Sequence, residues 1–129
     1  MVPVFKPLIE QEEIDASRES LELGWLGMGS YVSSFEDKVK DIIGAPDRHV
    51  AALSTGTAGL HIALLVAGVG PGDEVIVSSF NCSADFQAIS WVGADIVFCD
   101  CTDDTLAIDL DKAHQLVTPP PLEDFRVFL

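Results

Sequence analysis

The sequence predicts an α/β domain with a mostly parallel sheet and flanking helices. Apolar runs and helical patterns alternate regularly from residue 49 to 100. Short glycine-containing turns separate them, leaving room for crossovers and for little else. The runs that read as strands are apolar almost throughout, as strands covered on both faces are.

Residues 1–8, with Pro3 and Pro7, read as extended. Ile9 to Leu23 reads as a helix with a weak apolar stripe. "GWLGMGS" (24–30) is a glycine-rich loop. A second helix follows from Ser30, with Val32, Phe35, Val39 and Ile42 at helical spacing; Ser33 and Glu36 match a capping box, which would place its start slightly later. Gly44 and Pro46 end it. "HVAALS" (49–54) reads as the first strand of the alternating region, and "TAGLHIALLVAG" (57–68) as a helix closed by Gly68. "GPGD" (70–73) fits a type II turn, with Pro71 fixing φ and Gly72 accepting a positive φ. "EVIVSS" (74–79) is a strand. "CSADFQAISWVG" (82–93) is a helix with Cys82, Phe86 and Ile89 on one face, stopped by Gly93. "ADIVFCD" (94–100) is another strand, and Asp109 caps a last short helix through Val117. The tail "TPPPLEDFRVFL" (118–129) loses all rhythm; three successive prolines continue neither a helix nor a central strand.

The 129 residues suffice for one ordinary domain. With 21 acidic and 7 basic side chains the formal net charge is −14, which disfavours nucleic-acid and anionic-membrane partners. The mean hydropathy of +0.32 is high for a small soluble protein, yet the longest apolar stretch, Ile62 to Val69, is far shorter than the ~20 residues of a spanning helix. The start carries no basic region followed by an apolar core, so no signal peptide is expected, and reduced cysteines in a cytoplasm are. Cys82, Cys99 and Cys101 lack accompanying ligands at metal spacing, and the aspartates 100–111 lack the glycine and distal glutamate of an EF-hand loop, so no metal is expected.

The chemistry centres on "ALSTGTAGLH" (52–61). It is neither G-x-G-x-x-G nor a P-loop, since no Gly-Lys-Ser/Thr follows. A strand, a small-residue turn and a helix start remain. Such a helix start can hold one phosphate on the amides of Gly56, Thr57 and Ala58, helped by a Thr hydroxyl and the helix dipole. The same residues also fit a turn in which Ser54 or Thr55 only caps the helix. His61, beside Leu60 and Leu64, reads as a packed histidine, and no Ser-His-Asp or Cys-His set can be assembled.

The stretch "STGTAGLHIALLVAGVGPGDEVIVSSFNCSADFQAISWVGADIVFCDC", with "GWLGMGSYVSSFEDKV" before it and "DDTLAIDLDKAHQLV" after it, resembles the DegT/DnrJ/EryC1/StrS nucleotide-sugar aminotransferases, from about Val4 through Thr118. The resemblance implies part of the large domain of a fold-type I transferase dependent on pyridoxal 5'-phosphate (PLP), over residues 1–118, with 119–129 an irregular divergent tail. It implies that Gly56, Thr57 and Ala58 grip the PLP phosphate and that Cys82, where an aromatic is common, lies against the ring. It also implies amino transfer from glutamate to a nucleotide-linked keto-sugar in a homodimer. In the resembling enzymes the Schiff-base Lys and the Asp that holds the pyridinium nitrogen lie downstream of this sequence. Lys6, Lys38, Lys40 and Lys112 read as solvated, so no catalytic residue is assigned and the chain alone is expected to be inactive. Two other classes fit parts of the pattern. A non-catalytic module binding a phosphorylated ligand or capping a partner would use the same turn; a Rossmann-type nucleotide domain shares the alternation but lacks the glycine fingerprint.

Overall fold

The computed structural model describes residues 5–117 and the backbone of 127–128. The chain divides into two compact units, residues 1–52 and 53–129.

The first unit holds two helices. In α1 (Gln11–Glu22) the Glu10 N–H donates to the Glu13 carboxylate at 2.7 Å, and Glu12 and Glu13 occupy the first turn, where negative charge suits the helix dipole. Trp25 Nε1 in the following loop donates to the Met28 carbonyl at 2.9 Å. Helix α2 (Ser30–Ile43) starts at Ser30, directly after Gly29, so the later start suggested by the capping-box pattern does not occur. The Glu36 carboxylate instead accepts the N–H of Ala52 at 2.9 Å. Neither helix has a buried residue, in keeping with the weak apolar stripe of the first.

The second unit is the α/β part. Its elements are α3 (Gly56–Val66), β1 (Glu74–Ser78), α4 (Ser83–Val92), β2 (Asp95–Cys99), α5 (Leu110–Leu116) and β3 (Val127–Phe128). The strands pair in parallel in the order β2-β1-β3, with Glu74 opposite Asp95 and Ser78 opposite Cys99. β1 is therefore central, and Val75, Ile76, Val77 and Ser78 are all buried. Its alternation divides the core. Val75 and Val77 join Leu64, Ala88, Ile89 and Val92 on one face, while Ile76 joins Cys99 and Ala113 on the other. Helices α3 and α4 thus cover one face of the sheet and α5 the other, which is why the strands carry no polar alternation. Each fully buried Val or Ile contributes about 1.5–3 kcal/mol relative to exposure.

The turn before β1 forms as its sequence predicts: Gly72 has φ +96° and the Asp73 N–H donates to the Gly70 carbonyl at 3.1 Å. Gly93 ends α4 at φ +79°, and a Cβ there would lie 3.1 Å from Pro71 Cγ, so the end of α4 sits directly on that turn.

One predicted strand is absent. Among the described residues, 49–54 belong to no strand. The Ala52 N–H, which a ladder would use, is committed to Glu36, and the parallel ladders recorded for β1 run to β2 and β3. Of the tail 119–129, only Val127–Phe128 is described; the boundary at residue 118 lies outside the described residues.

Candidate phosphate-binding site

Thr55, with φ −151° and ψ 158°, is the N-cap of α3. Its Oγ1 accepts the Ala58 N–H at 3.1 Å and its carbonyl accepts the Gly59 N–H at 3.2 Å. Four amides at a helix start lack intrahelical acceptors or share one with the cap. Here Thr55 takes two, and the N–H groups of Gly56 and Thr57 have no hydrogen-bond acceptor among the described residues. Gly56 is exposed, and a Cβ placed on it would meet nothing within 4 Å. Thr57 and Ala58 are half-buried. The two amides lie at the positive end of an 11-residue helix. Of the three amides expected to serve a phosphate, that of Ala58 is held by the Thr55 hydroxyl. The capping reading therefore holds for Ala58, while the Gly56 and Thr57 amides have no acceptor among the described residues.

The connection 67–73 from α3 to β1 is short, so α3 runs antiparallel to the strand and its start emerges toward the strand's C-terminal end. Cys82 lies at that same end, as the N-cap of α4 just after β1. Its side chain is exposed and makes no capping hydrogen bond. Its N–H donates to Asn81 Oδ1 at 2.8 Å and its carbonyl accepts the Asp85 N–H at 3.2 Å, so the backbone is fixed while the thiol is left outward. Asn81 was not among the residues singled out from sequence; an Asn one residue before a helix cap is the signal that could have found it. Phe80, beside it, is exposed, and its carbonyl accepts the Ser78 hydroxyl at 3.4 Å. His61 packs edge-on against Trp91, ring centroids 5.5 Å apart.

The lysines that the structure places in ion pairs are poor nucleophiles. Lys112 Nζ lies 2.8 Å from Asp100 Oδ2 and 3.5 Å from Asp109 Oδ2. Its hydrogen bond to Asp100 raises its pKa above the ordinary lysine value, and Lys40 is raised likewise by its 2.8 Å bond to Asp37. Lys6 and Lys38 are exposed. Asp109, beyond pairing Lys112, accepts the N–H groups of Asp111 and Lys112 as the cap of α5. Burial, and then the negative charges of Asp109 and Asp100, push the Cys99 thiol upward. Among the described residues, no helix is long and apolar enough to cross a membrane.

The chain is similar in sequence and in fold to known sugar aminotransferases. The chain is 42% identical over 118 residues to the spore coat polysaccharide biosynthesis protein SpsC of Bacillus subtilis (strain 168), spanning 92% of this chain and 30% of that protein. It is 36% identical over 117 residues to the UDP-4-amino-4-deoxy-L-arabinose–oxoglutarate aminotransferase of Shewanella sediminis (strain HAW-EB3), spanning 91% of this chain and 30% of that one. Among solved structures, the PLP form of Spr1654 from Streptococcus pneumoniae superposes with a TM-score of 0.79 at 33% identity, over 91% of this chain and 29% of that one. The chain thus spans about 30% of the length of the relatives it matches. The family model for DegT/DnrJ/EryC1/StrS aminotransferases matches residues 7–121, and PLP is the cofactor of that family. This chain belongs to the DegT/DnrJ/EryC1/StrS aminotransferase family.

Proposed function

We propose that this chain forms the phosphate-gripping part of a PLP-dependent aminotransferase that acts, in the cytoplasm, on nucleotide-linked keto-sugars with glutamate as amino donor and as a homodimer. The observation that carries the reading is the pair of uncommitted amides at Gly56 and Thr57 beside an open space at Gly56. That pair of donors, with the helix dipole behind it, fits a phosphate monoester. The Thr55 hydroxyl is already used by Ala58, so its part is to fix the turn. Cys82, outward at the same end of the sheet, offers a sulfur edge to the pyridine ring where a larger face would cover it more fully. PLP, when bound, supplies the electron sink for moving the amino group. This chain's contribution is to hold and orient its phosphate.

Covalent anchorage needs an unprotonated lysine. Lys40 and Lys112 are held protonated by carboxylates, and Lys6 and Lys38 are exposed side chains. The chain by itself is therefore a phosphate holder without transaminase activity.

The test uses Gly56→Pro. Proline is tolerated at the first position of a helix, and the preceding Thr55 already has the extended backbone that a proline requires. The substitution deletes one amide donor while leaving the helix intact. PLP affinity, measured by equilibrium dialysis, falls about tenfold or more, the size of one hydrogen bond to a charged group, while the melting temperature holds. Unchanged affinity overturns the assignment. In the same samples, borohydride reduction followed by mass spectrometry finds no PLP adduct on any of the four lysines, and a specific adduct overturns the reading of an inactive chain.

A further inference from the structure

We infer that the outward side of α3, with the Trp91 indole beside it, is the surface on which a second copy of this chain docks, an inference that rests on the homodimer part of the reading above and not on the phosphate site. Residues 49–72 contain no Asp, Glu, Lys or Arg; all 21 acidic and 7 basic side chains stand outside that stretch. Helix α3 lies inside it. At ~100° per residue, Leu60 and Leu64 face the core, and Ile62 and Val66 fall on the opposite side. A helix with one side in water ordinarily carries polar or charged residues there. On α3 the residues outside the core are Ile62, Ala63, Leu65 and Val66, all exposed, Val66 at 83%. His61, one turn before Leu65, packs edge-on against Trp91, which is itself 58% exposed. The apolar surface thus runs from α3 onto the end of α4, inside one compact unit.

Charge selects the occupant. Copies with a net charge of −14 repel one another wherever their charged surfaces meet. A helix side without a carboxylate is where two copies approach at least cost, and an apolar patch of this kind is complementary to itself, as a two-fold contact requires. A basic partner is drawn instead to the carboxylates, which α3 lacks. A lipid surface is bound by helices that set Lys and Arg beside their apolar side, and α3 has neither. Apolar burial drives the contact, and Trp91 supplies an anchor of the residue type that dominates such interfaces. One side of an 11-residue helix, about 16 Å long, and one indole from each copy make a contact at the small end of specific interfaces, so the dimer is weak. Because the copies repel, added salt tightens it.

The experiment is sedimentation equilibrium of the 129-residue chain from about 1 μM to about 1 mM, the range of a weak contact. Val66→Glu and Leu110→Glu are run beside it, and hydrogen exchange is read by NMR at both ends of the range. Leu110, exposed on α5, takes the same charge away from α3. The unsubstituted chain is expected to dimerise reversibly, more tightly as salt is added, with the α3 amides slowed at high concentration. Val66→Glu weakens the dimer about a hundredfold or more, because each copy then buries an unpaired carboxylate. Leu110→Glu changes it by about threefold at most, since an exposed charge is screened. Equal weakening by the two variants means that net charge alone decides, and overturns the inference. A dimer indifferent to Val66→Glu, or protection that grows only outside α3 and α4, overturns it as well while leaving the homodimer reading standing on another surface. Full protection of α3 already in dilute chain means that it is covered within one copy, and flotation with phosphatidylcholine vesicles that Val66→Glu abolishes means that lipid is the occupant; either result overturns the inference. If Val66→Glu does not fold, the concentration dependence of α3 exchange in the unsubstituted chain decides alone. A chain that stays monomeric to the top of the range removes the homodimer reading and this inference together, and leaves the phosphate reading to its own test.

Discussion

Gly56 and Ala58 stand two residues apart on one turn of helix, yet their amides have different fates, because a single hydroxyl, that of Thr55, reaches only one of them. Sequence alone leaves open whether Ser54 or Thr55 caps, and with it which amides remain for a ligand. The backbone angles of Thr55 decide the matter. Cys82, the exposed N-cap of α4, poses the complementary question for the proposed cofactor ring. Its thiol is exposed and unused in capping, so a larger side chain costs nothing in the N-cap of α4. Cys82→Tyr is expected to tighten PLP binding by roughly 2- to 10-fold, the range of one added aromatic contact. Equilibrium dialysis against PLP checks this, and affinity left unchanged means that the ring does not lie against position 82.

At the scale of elements, the turns were the most legible part of the sequence. Gly72 and Gly93 stand where positive φ is required, and β1, α4 and β2 fall within a residue or two of their predicted bounds, because each is closed by local chemistry. The segment 49–54 was not legible in this way. An apolar run becomes a strand only with a neighbour to pair with, and its Ala52 amide found a carboxylate instead. The Ser33–Glu36 pattern misled for a related reason: a glutamate near a helix start has two possible destinations, and tertiary structure chose the distant one. At the proposed site, which amides the cap takes was not legible, since capping and anion binding use the same residue types.

The link from β2 to α5 yields a pH prediction. Lys112 joins Asp100, at the end of β2, to Asp109, the cap of α5. The hydrogen bond from Lys112, followed by that from the Cys101 N–H, lowers the pKa of Asp100 below the ordinary 3.8. That contribution is present above 3.8 and disappears as pH falls through the folded value. The Lys112 pKa is raised above 10.5, so its contribution is present below 10.5 and disappears as pH rises through the folded value. Urea midpoints are therefore expected to be flat in this pair's contribution between those limits and to fall outside them. Lys112→Met removes the plateau's excess, by a small amount because the groups are exposed, and added salt shrinks the difference further. A variant whose pH profile parallels that of the unsubstituted chain contradicts the role given to the pair.

At the scale of the whole chain, stability is concentrated in one place. The buried side chains of the described residues all belong to the second unit, from Leu64 to Ala113, and they gather around β1. Helices α1 and α2 bury none, and they expose Ile14, Leu21, Phe35 and Ile42 while the chain as a whole carries a net charge of −14. A short helix without a packed face has little to hold it against opening. Hydrogen exchange at neutral pH is expected to rank the amides accordingly: β1 and the buried turn of α4 slowest, α3 next, α1 and α2 within a few-fold of unfolded rates. The ranking is measured by NMR on dilute chain and repeated at higher concentration. Because the apolar side chains of α1 and α2 are exposed rather than absent, a covering surface would slow their exchange in proportion to its concentration. Concentration-dependent protection confined to these two helices would identify them as the association surface of the homodimer proposed here. Protection of α1 equal to that of β1 in dilute chain would contradict the account of a fold held by β1 and its two layers of helices.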